Sequence, residues 1–304
     1  MSIRLALAGN PNCGKTTMFN DLTGATQYVG NWPGVTVEKK EGRWKADKEI
    51  RITDLPGIYS LSPYTLEEVV ARDYLVGEKP DAIMDLVDAS NIERNLYLTT
   101  QLLEMGIPVV VALNMMDIVE KRGDVIDVKK LSSLLGVPVV ETAAVKGKGT
   151  KELVEAAKKA VSAGKLPPQH EFPENIEKAL QQITDMIAGV TEESQRRWYA
   201  VKLFERDQKV MARFQFSVDT QAKLEAIISA VEEELDDDAE SIITDARYQY
   251  IGGIVKACVK KKKTGMTVSD KIDHIVTNRI LALPIFALVM FIVYYVSVTT
   301  VGTI

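Results

Sequence analysis

The eight-residue run Gly9-Asn10-Pro11-Asn12-Cys13-Gly14-Lys15-Thr16 follows directly on the apolar stretch 3–8 and precedes a helical pattern over 14–22. It matches G-x-x-x-x-G-K-[ST], and a strand, turn and helix in that order are the context the pattern requires. Glycines at both ends let the backbone bend around an anion where a Cβ would clash. Successive N–H groups from Gly9 through Thr17, backed by a helix N-terminus, then face phosphate. Lys15 adds a point charge at the β- and γ-phosphates, and the Thr16 hydroxyl suits Mg²⁺. A chain built on this run is committed to an α/β layout, with its loop at the C-terminal end of a strand.

A phosphate loop serves adenine and guanine nucleotides alike, so the base must be chosen elsewhere. Asp54-Leu55-Pro56-Gly57 follows a second strand and matches D-x-x-G. Asp54 would hold Mg²⁺ through water, and the Gly57 N–H would reach the γ-phosphate. Between the two motifs lies Gly30-Asn31-Trp32-Pro33-Gly34-Val35-Thr36. Thr36 fits a switch threonine that joins Mg²⁺ when the γ-phosphate is present, and Pro33-Gly34 suits a loop that rearranges on hydrolysis. Trp32 reads equally well as a packing residue. Asn114-Met115-Met116-Asp117 follows the apolar strand 108–113 and resembles the guanine motif N-K-x-D. A carboxylate at Asp117 accepts from both N1–H and N2–H₂ of guanine, a donor pair that adenine lacks. This disfavours an ATPase motor. Asn114 would brace the loop, and Met115, in place of lysine, would lay its thioether on the base. Thr142-Ala143-Ala144 stands where an S-A-K segment would donate the Ala143 N–H to guanine O6; a plain loop explains it as well.

Short strands at 82–87 and 137–140, and a pair at 35–44 and 49–54, alternate with helical stretches at 66–75, 92–105, 128–135 and 151–161. The pattern predicts a mostly parallel sheet covered by helices on both faces. After the Pro/Gly-rich stretch 162–175 the periodicity becomes helical only, over 176–187, 194–204, 222–235 and 239–259. The acidic runs 232–234 and 236–238 read as a solvated helix end and start.

Composition matters at three points. A net charge of −5 argues against a nucleic-acid groove. Two cysteines and two histidines, Cys13, Cys258, His170 and His274, exclude a disulfide scaffold and a multi-histidine metal centre and suit a reducing compartment. Residues 280–304 carry no charge, and 25 helical residues would reach roughly 37 Å, enough for a hydrocarbon core of roughly 30 Å. A signal-peptide pattern is absent from the first residues. Lys260–Lys263 and Arg279 precede the apolar run, so the positive-inside rule keeps 1–279 cytoplasmic. The run reads as the entry to a longer membrane protein.

Taken together, GNPNCGKTT, NWPGVTVEKKEG, DLPGIYSL, VVALNMMD and the helical block before an apolar run resemble the ferrous iron transport protein B family of bacteria and archaea. The resemblance covers nearly the whole chain and implies a P-loop GTPase of Ras-like fold at 1–165. A small all-α domain that slows nucleotide release would follow at 166–265, a juxtamembrane segment at 266–279, and a first transmembrane helix at 280–304 of a multi-pass cell-membrane protein. It implies GTP and GDP as ligands, Mg²⁺ as cofactor, Fe²⁺ as cargo of a membrane domain beyond this chain, and small cytoplasmic accessory proteins as partners. It also implies K⁺ stimulation, with Asn12 and switch carbonyls near Asn31 and Trp32 holding the ion, which would take the place of an arginine finger; simple loop hydrogen bonding is the other reading of Asn12. Catalysis would rest on Lys15, Thr36 and Gly57. The residue after D-x-x-G is Ile58 rather than the water-orienting glutamine of Ras-like enzymes, which predicts slow intrinsic hydrolysis. Cys13 reads as loop filler. The competing reading is a tail-anchored regulatory GTPase with no transport role, and neither spacing nor composition decides between a monomer and a homo-oligomer.

Overall fold

The computed structural model describes residues 2–24, 27–62, 64–262 and 282–297. Seven strands form one sheet in the order β2-β3-β4-β1-β5-β6-β8: β1 (Ile3–Gly9), β2 (Gln27–Asn31), β3 (Glu38–Trp44), β4 (Asp47–Asp54), β5 (Ala82–Asp88), β6 (Val109–Asn114) and β8 (Val139–Glu141). Pairings from β4 through β1, β5 and β6 to β8 are parallel, and β2-β3-β4 is an antiparallel meander on one edge. The expected α/β fold is therefore present, a mostly parallel sheet with helices on both faces. The strands β5 and β6 are buried almost throughout, as parallel strands covered on both sides must be.

Strand alternation divides the core. Leu5, Leu7, Ile50, Ile52, Met84 and Val110 face α1 (Lys15–Thr23) and α6 (Thr150–Ala163). Ala6, Ala8, Ile83, Val87, Val109 and Val111 face the other way, toward α2 (Leu66–Gly77), α3 (Ile92–Glu104) and α5 (Val128–Leu135). That second core continues without a break into α7 (Glu174–Ile187), α8 (Glu193–Phe204), α9 (Gln208–Phe214), α10 (Val218–Leu235) and α11 (Ala239–Cys258). Residues 1–260 accordingly form one compact unit. A two-stranded ribbon, β7 (Val125–Ile126) with β9 (Val259–Lys260), ties the end of α11 to the segment before α5.

Three features depart from the sequence expectation. The edge strand β2 has no apolar alternation, because its side chains are mostly exposed. Two short helices, α4 (Met116–Arg122) and α9, fall inside stretches too brief for periodicity to register. The Pro/Gly-rich linker is no free tether: His170 and Phe172 are buried, and His170 stacks on Tyr250 with ring centroids 4.7 Å apart.

The expected 25-residue span is not seen. Its described part is a helix of 15 residues, α12 (Ala282–Val296), which spans roughly 22 Å against a core of roughly 30 Å. Among the described residues no helix is long and apolar enough to cross a membrane. Residues 280, 281 and 298–304, and the juxtamembrane stretch 266–279, lie outside the described residues.

Candidate functional site

The loop after β1 turns tightly because its backbone visits the left-handed region at Gly9, Asn12 and Gly14, with φ of 149°, 65° and 94°. A Cβ on Gly14 would stand 2.5 Å from Asn114 Nδ2, and one on Gly9 would stand 2.7 Å from the Leu86 carbonyl oxygen, so neither position tolerates a side chain. Asn10, Pro11, Asn12, Gly14, Lys15, Thr16, Thr17 and Gly57 line one open cleft of about 480 Å³. The phosphate loop and the D-x-x-G glycine thus meet, as their spacing predicts. The Asn10 amide is buried with neither its Oδ1 nor its Nδ2 hydrogen-bonded.

Lys15 Nζ donates to Asp54 Oδ1 at 2.8 Å, and both side chains are largely buried. Burial raises the Asp54 carboxyl above its ordinary value although Lys15 pulls it down. The Thr16 hydroxyl and the Asp54 carboxylate are hard oxygen donors that fit Mg²⁺ in character. Cys13 is buried, and desolvation together with the Asp85 carboxylate pushes its thiol up to about 12. A thiol so far from ionising is packing, not chemistry.

Asn114, at the end of β6, holds the base side together. Its Nδ2 donates to the Cys13 carbonyl at 2.8 Å, and its Oδ1 accepts from Ala144 N at 3.1 Å and Thr142 Oγ1 at 3.3 Å. One buried amide therefore ties the phosphate loop, the N-M-M-D loop and the T-A-A loop to each other. Met115 takes a left-handed φ of 61° and starts α4, whose first turn carries Asp117. Sequence reasoning missed Lys146, which ends the 3₁₀ turn Ala144–Lys146 and places Nζ 3.4 Å from Asp117 Oδ2. The available signal was a lysine two residues beyond the T-A-A segment. The Ala143 N–H is not free for a base: it donates to the Lys148 carbonyl at 3.0 Å. In this conformation the T-A-A loop closes as a small bridge on itself.

The expected first switch lies on the hairpin between β2 and β3. Asn31, Trp32, Val35 and Thr36 form the tip of the β2-β3 hairpin and are not among the walls of the cleft. Asn31 pairs with Glu38, and the Trp32 carbonyl already accepts from Val35 N at 3.2 Å. The Trp32 ring is buried edge-on against Tyr74 at 5.3 Å, with Lys39 Nζ 4.8 Å from its centroid. Of the expected K⁺ set only Asn12 lines the cleft.

Beyond Gly57 the chain is wired outward. Leu55 and Ile58 are core residues, so Ile58 presents nothing to a water at the cleft. Gln101 Oε1 accepts from Leu61 N at 2.6 Å, Lys202 Nζ donates to Ser62 Oγ at 3.3 Å, and the Tyr64 hydroxyl donates to Glu240. Lys202 belongs to a buried charge cluster on α3, α8 and α11. Arg247 donates to Glu104 at 2.7 and 3.2 Å and to Glu205 at 2.9 Å, and Glu205 accepts from Lys202 at 2.5 Å. The four charges cancel. Neighbouring His170 stays neutral, its pKa lowered by burial.

Comparison with known proteins places this arrangement. Residues 3–157 match the family described as Ferrous iron transport protein B, and residues 172–260 match the FeoB cytosolic helical domain. A fusion of Fe(2+) transport protein A with Fe(2+) transporter FeoB from Porphyromonas gingivalis is 46% identical over 96% of this chain and 36% of its own length. The Fe(2+) transporter FeoB of Escherichia coli K12 is 40% identical over 99% of this chain and 39% of its own. The chain thus spans well under half the length of these relatives. Among solved structures, a GDP-bound mutant of S. thermophilus NFeoB superposes with a TM-score of 0.83 at 46% identity, covering 85% of this chain and all of the other. The mGMPPNP-bound form of that protein gives 0.76 at 46% identity, over 86% of this chain and 99% of the other. With matched regions that take in both the sheet and the helices behind it, the chain belongs to the ferrous iron transport protein B family.

Proposed function

We propose that this chain is a guanine-nucleotide switch that hydrolyses GTP slowly and governs a ferrous iron pathway in a membrane domain. The observation that carries the reading is Asn114, which locks the phosphate loop to the loop bearing Asp117. A nucleotide with its phosphates on residues 9–17 would then meet the Asp117 carboxylate at its base. Lys15 would exchange Asp54 for phosphate oxygens, and the freed carboxylate would turn to Mg²⁺ with Thr16. When bound, Mg²⁺ would neutralise charge between the β- and γ-phosphates. Thr36 and any K⁺ site at Asn12, Asn31 and Trp32 require the hairpin tip to come over the cleft, so the first switch would order only around a triphosphate. Leu55, Pro56 and Gly57 would place a backbone N–H at the γ-phosphate.

Shifts at Gly57 would pass to the helical part through Leu61, Ser62 and Tyr64. Residues 1–165 would be the nucleotide domain, 166–265 the helical domain, and 280–304 the entry to the membrane. The Porphyromonas gingivalis relative, a fusion with Fe(2+) transport protein A, supports an accessory protein as partner. Phosphate release from GTP tests the enzymatic part: slow GTP turnover, none from ATP and none in Lys15→Ala supports it, whereas equal turnover of ATP contradicts it. Ferrous iron uptake by the full-length protein in vesicles, lost in Lys15→Ala, tests the transport part.

A further inference from the structure

Four lysines from three elements meet at one end of the compact unit 1–260. Val125 pairs with Lys260 in the β7-β9 ribbon, and Asp127 N donates to the Cys258 carbonyl at 2.9 Å, so the first turn of α5 stands beside the last turn of α11. Those turns carry Lys129, Lys130 and Lys256, and the ribbon adds Lys260; all four are exposed. None of the four has an ion-pair partner among the described residues. The acids next to them in the chain are Asp124 and Asp127, and Asp127 Oδ1 caps α5 by accepting from Lys130 N at 3.0 Å.

Three observations set this face apart from an ordinary solvated one. Lysines in the first turn of a helix stand at the positive end of its dipole, which costs stability, and only the Asp127 cap offsets them here. Exposed apolar side chains stand among the lysines: Val125, 60% exposed, is directly opposite Lys260, and Leu134, 43% exposed, follows Lys130 by one helical turn. The chain as a whole carries −5, so the excess of cations is local. Ammonium groups interleaved with exposed apolar groups suit the boundary of a lipid leaflet, where headgroup phosphates meet acyl chains. The sequence also runs on from Lys260 through Lys261, Lys262 and Lys263 toward the uncharged stretch 280–304. We propose that this lysine face docks on an anionic phospholipid surface. The inference makes no use of the nucleotide cleft and goes beyond the reading given to it.

Residues 1–262 serve for the test, because 1–260 are one compact unit and the solved GDP-bound NFeoB relative, matched over its whole length, covers only 85% of this chain. The measurement is sedimentation at saturating GDP with vesicles of phosphatidylcholine, alone or mixed two to one with phosphatidylglycerol. Binding to the mixed vesicles only, weakening as salt rises, is expected. At roughly fivefold per lysine, Lys129→Gln/Lys130→Gln should lower the partition by about tenfold or more without lowering the unfolding temperature. Lys151→Gln/Lys159→Gln, which removes the same charge from exposed positions on α6, should leave the partition unchanged. Equal binding to both vesicle types, none to the mixed ones, an undiminished partition in the α5 variant or an equal loss in the α6 variant would each overturn the proposal. Saturable capture of soluble polyphosphate without vesicle binding would assign the face to a dissolved polyanion and overturn it too.

Discussion

At the scale of single residues, two side chains give sharp expectations. Lys146 pairs with Asp117 across the base loops, where the lysines of the N-K-x-D and S-A-K patterns, at the Met115 and Ala144 positions, are missing. The pair is half-exposed, and such pairs contribute roughly 0.2–1 kcal/mol. Lys146→Ala should therefore speed GDP release roughly two- to fivefold, Lys146→Arg should restore it, and added salt should narrow the gap. Stopped-flow release of a fluorescent GDP measures this. Asp85 sits in the middle of β5, fully buried, accepting from Thr99 Oγ1 at 2.6 Å. Burial pushes its carboxyl up to about 7. A carboxyl raised above its unfolded value favours the fold at low pH, and that contribution is lost as pH rises through about 7. Asp85→Asn should thus gain on wild type by about 2–3 kcal/mol between pH 5 and pH 8. Chemical denaturation at the two pH values reads the difference, and a gap independent of pH would contradict it.

Among the elements, the joint between β6 and its neighbouring loops matters most. Asn114→Ala would orphan the Cys13 carbonyl and the Ala144 N–H, costing roughly 2–4 kcal/mol and at least tenfold in GDP affinity. Unfolding and calorimetry on one preparation check both. This joint also shows what the chain discloses about itself. The order of phosphate loop, D-x-x-G and N-M-M-D was legible because each motif sits at a strand end, where apolar runs stop abruptly. The β2-β3 hairpin was not, because an exposed edge strand carries no burial pattern. The position of Thr36 was equally hidden, since its place depends on hairpin register rather than on residue type. Nor can a residue pattern say that the Ala143 N–H is spent on Lys148, a bond set by loop closure.

Across the whole molecule, the continuous core from sheet to α11 makes the helical block one body with the sheet rather than an appendage. Its buried charges were invisible in sequence because Glu104 ends α3, Glu205 follows α8 and Arg247 lies within α11. Arg247→Met would leave the buried Glu104 carboxylate uncompensated, while Glu205 keeps Lys202, and should cost about 3–5 kcal/mol. Adding Glu104→Gln should recover much of that, and thermal unfolding of the two variants tests it. The helical periods, in contrast, were readable over 176–187, 194–204, 222–235 and 239–259, while the short α9 between them was not. All of this serves one central claim, that Lys15 and Asp117 act on the same guanine nucleotide. Calorimetry of GDP, ADP and XDP against the wild-type chain and Asp117→Asn tests it most directly. The wild type should bind GDP at least a hundredfold more tightly than ADP, and the variant should exchange that preference for XDP, whose O2 accepts where guanine donates. Equal affinity of the wild type for GDP and ADP would contradict the account.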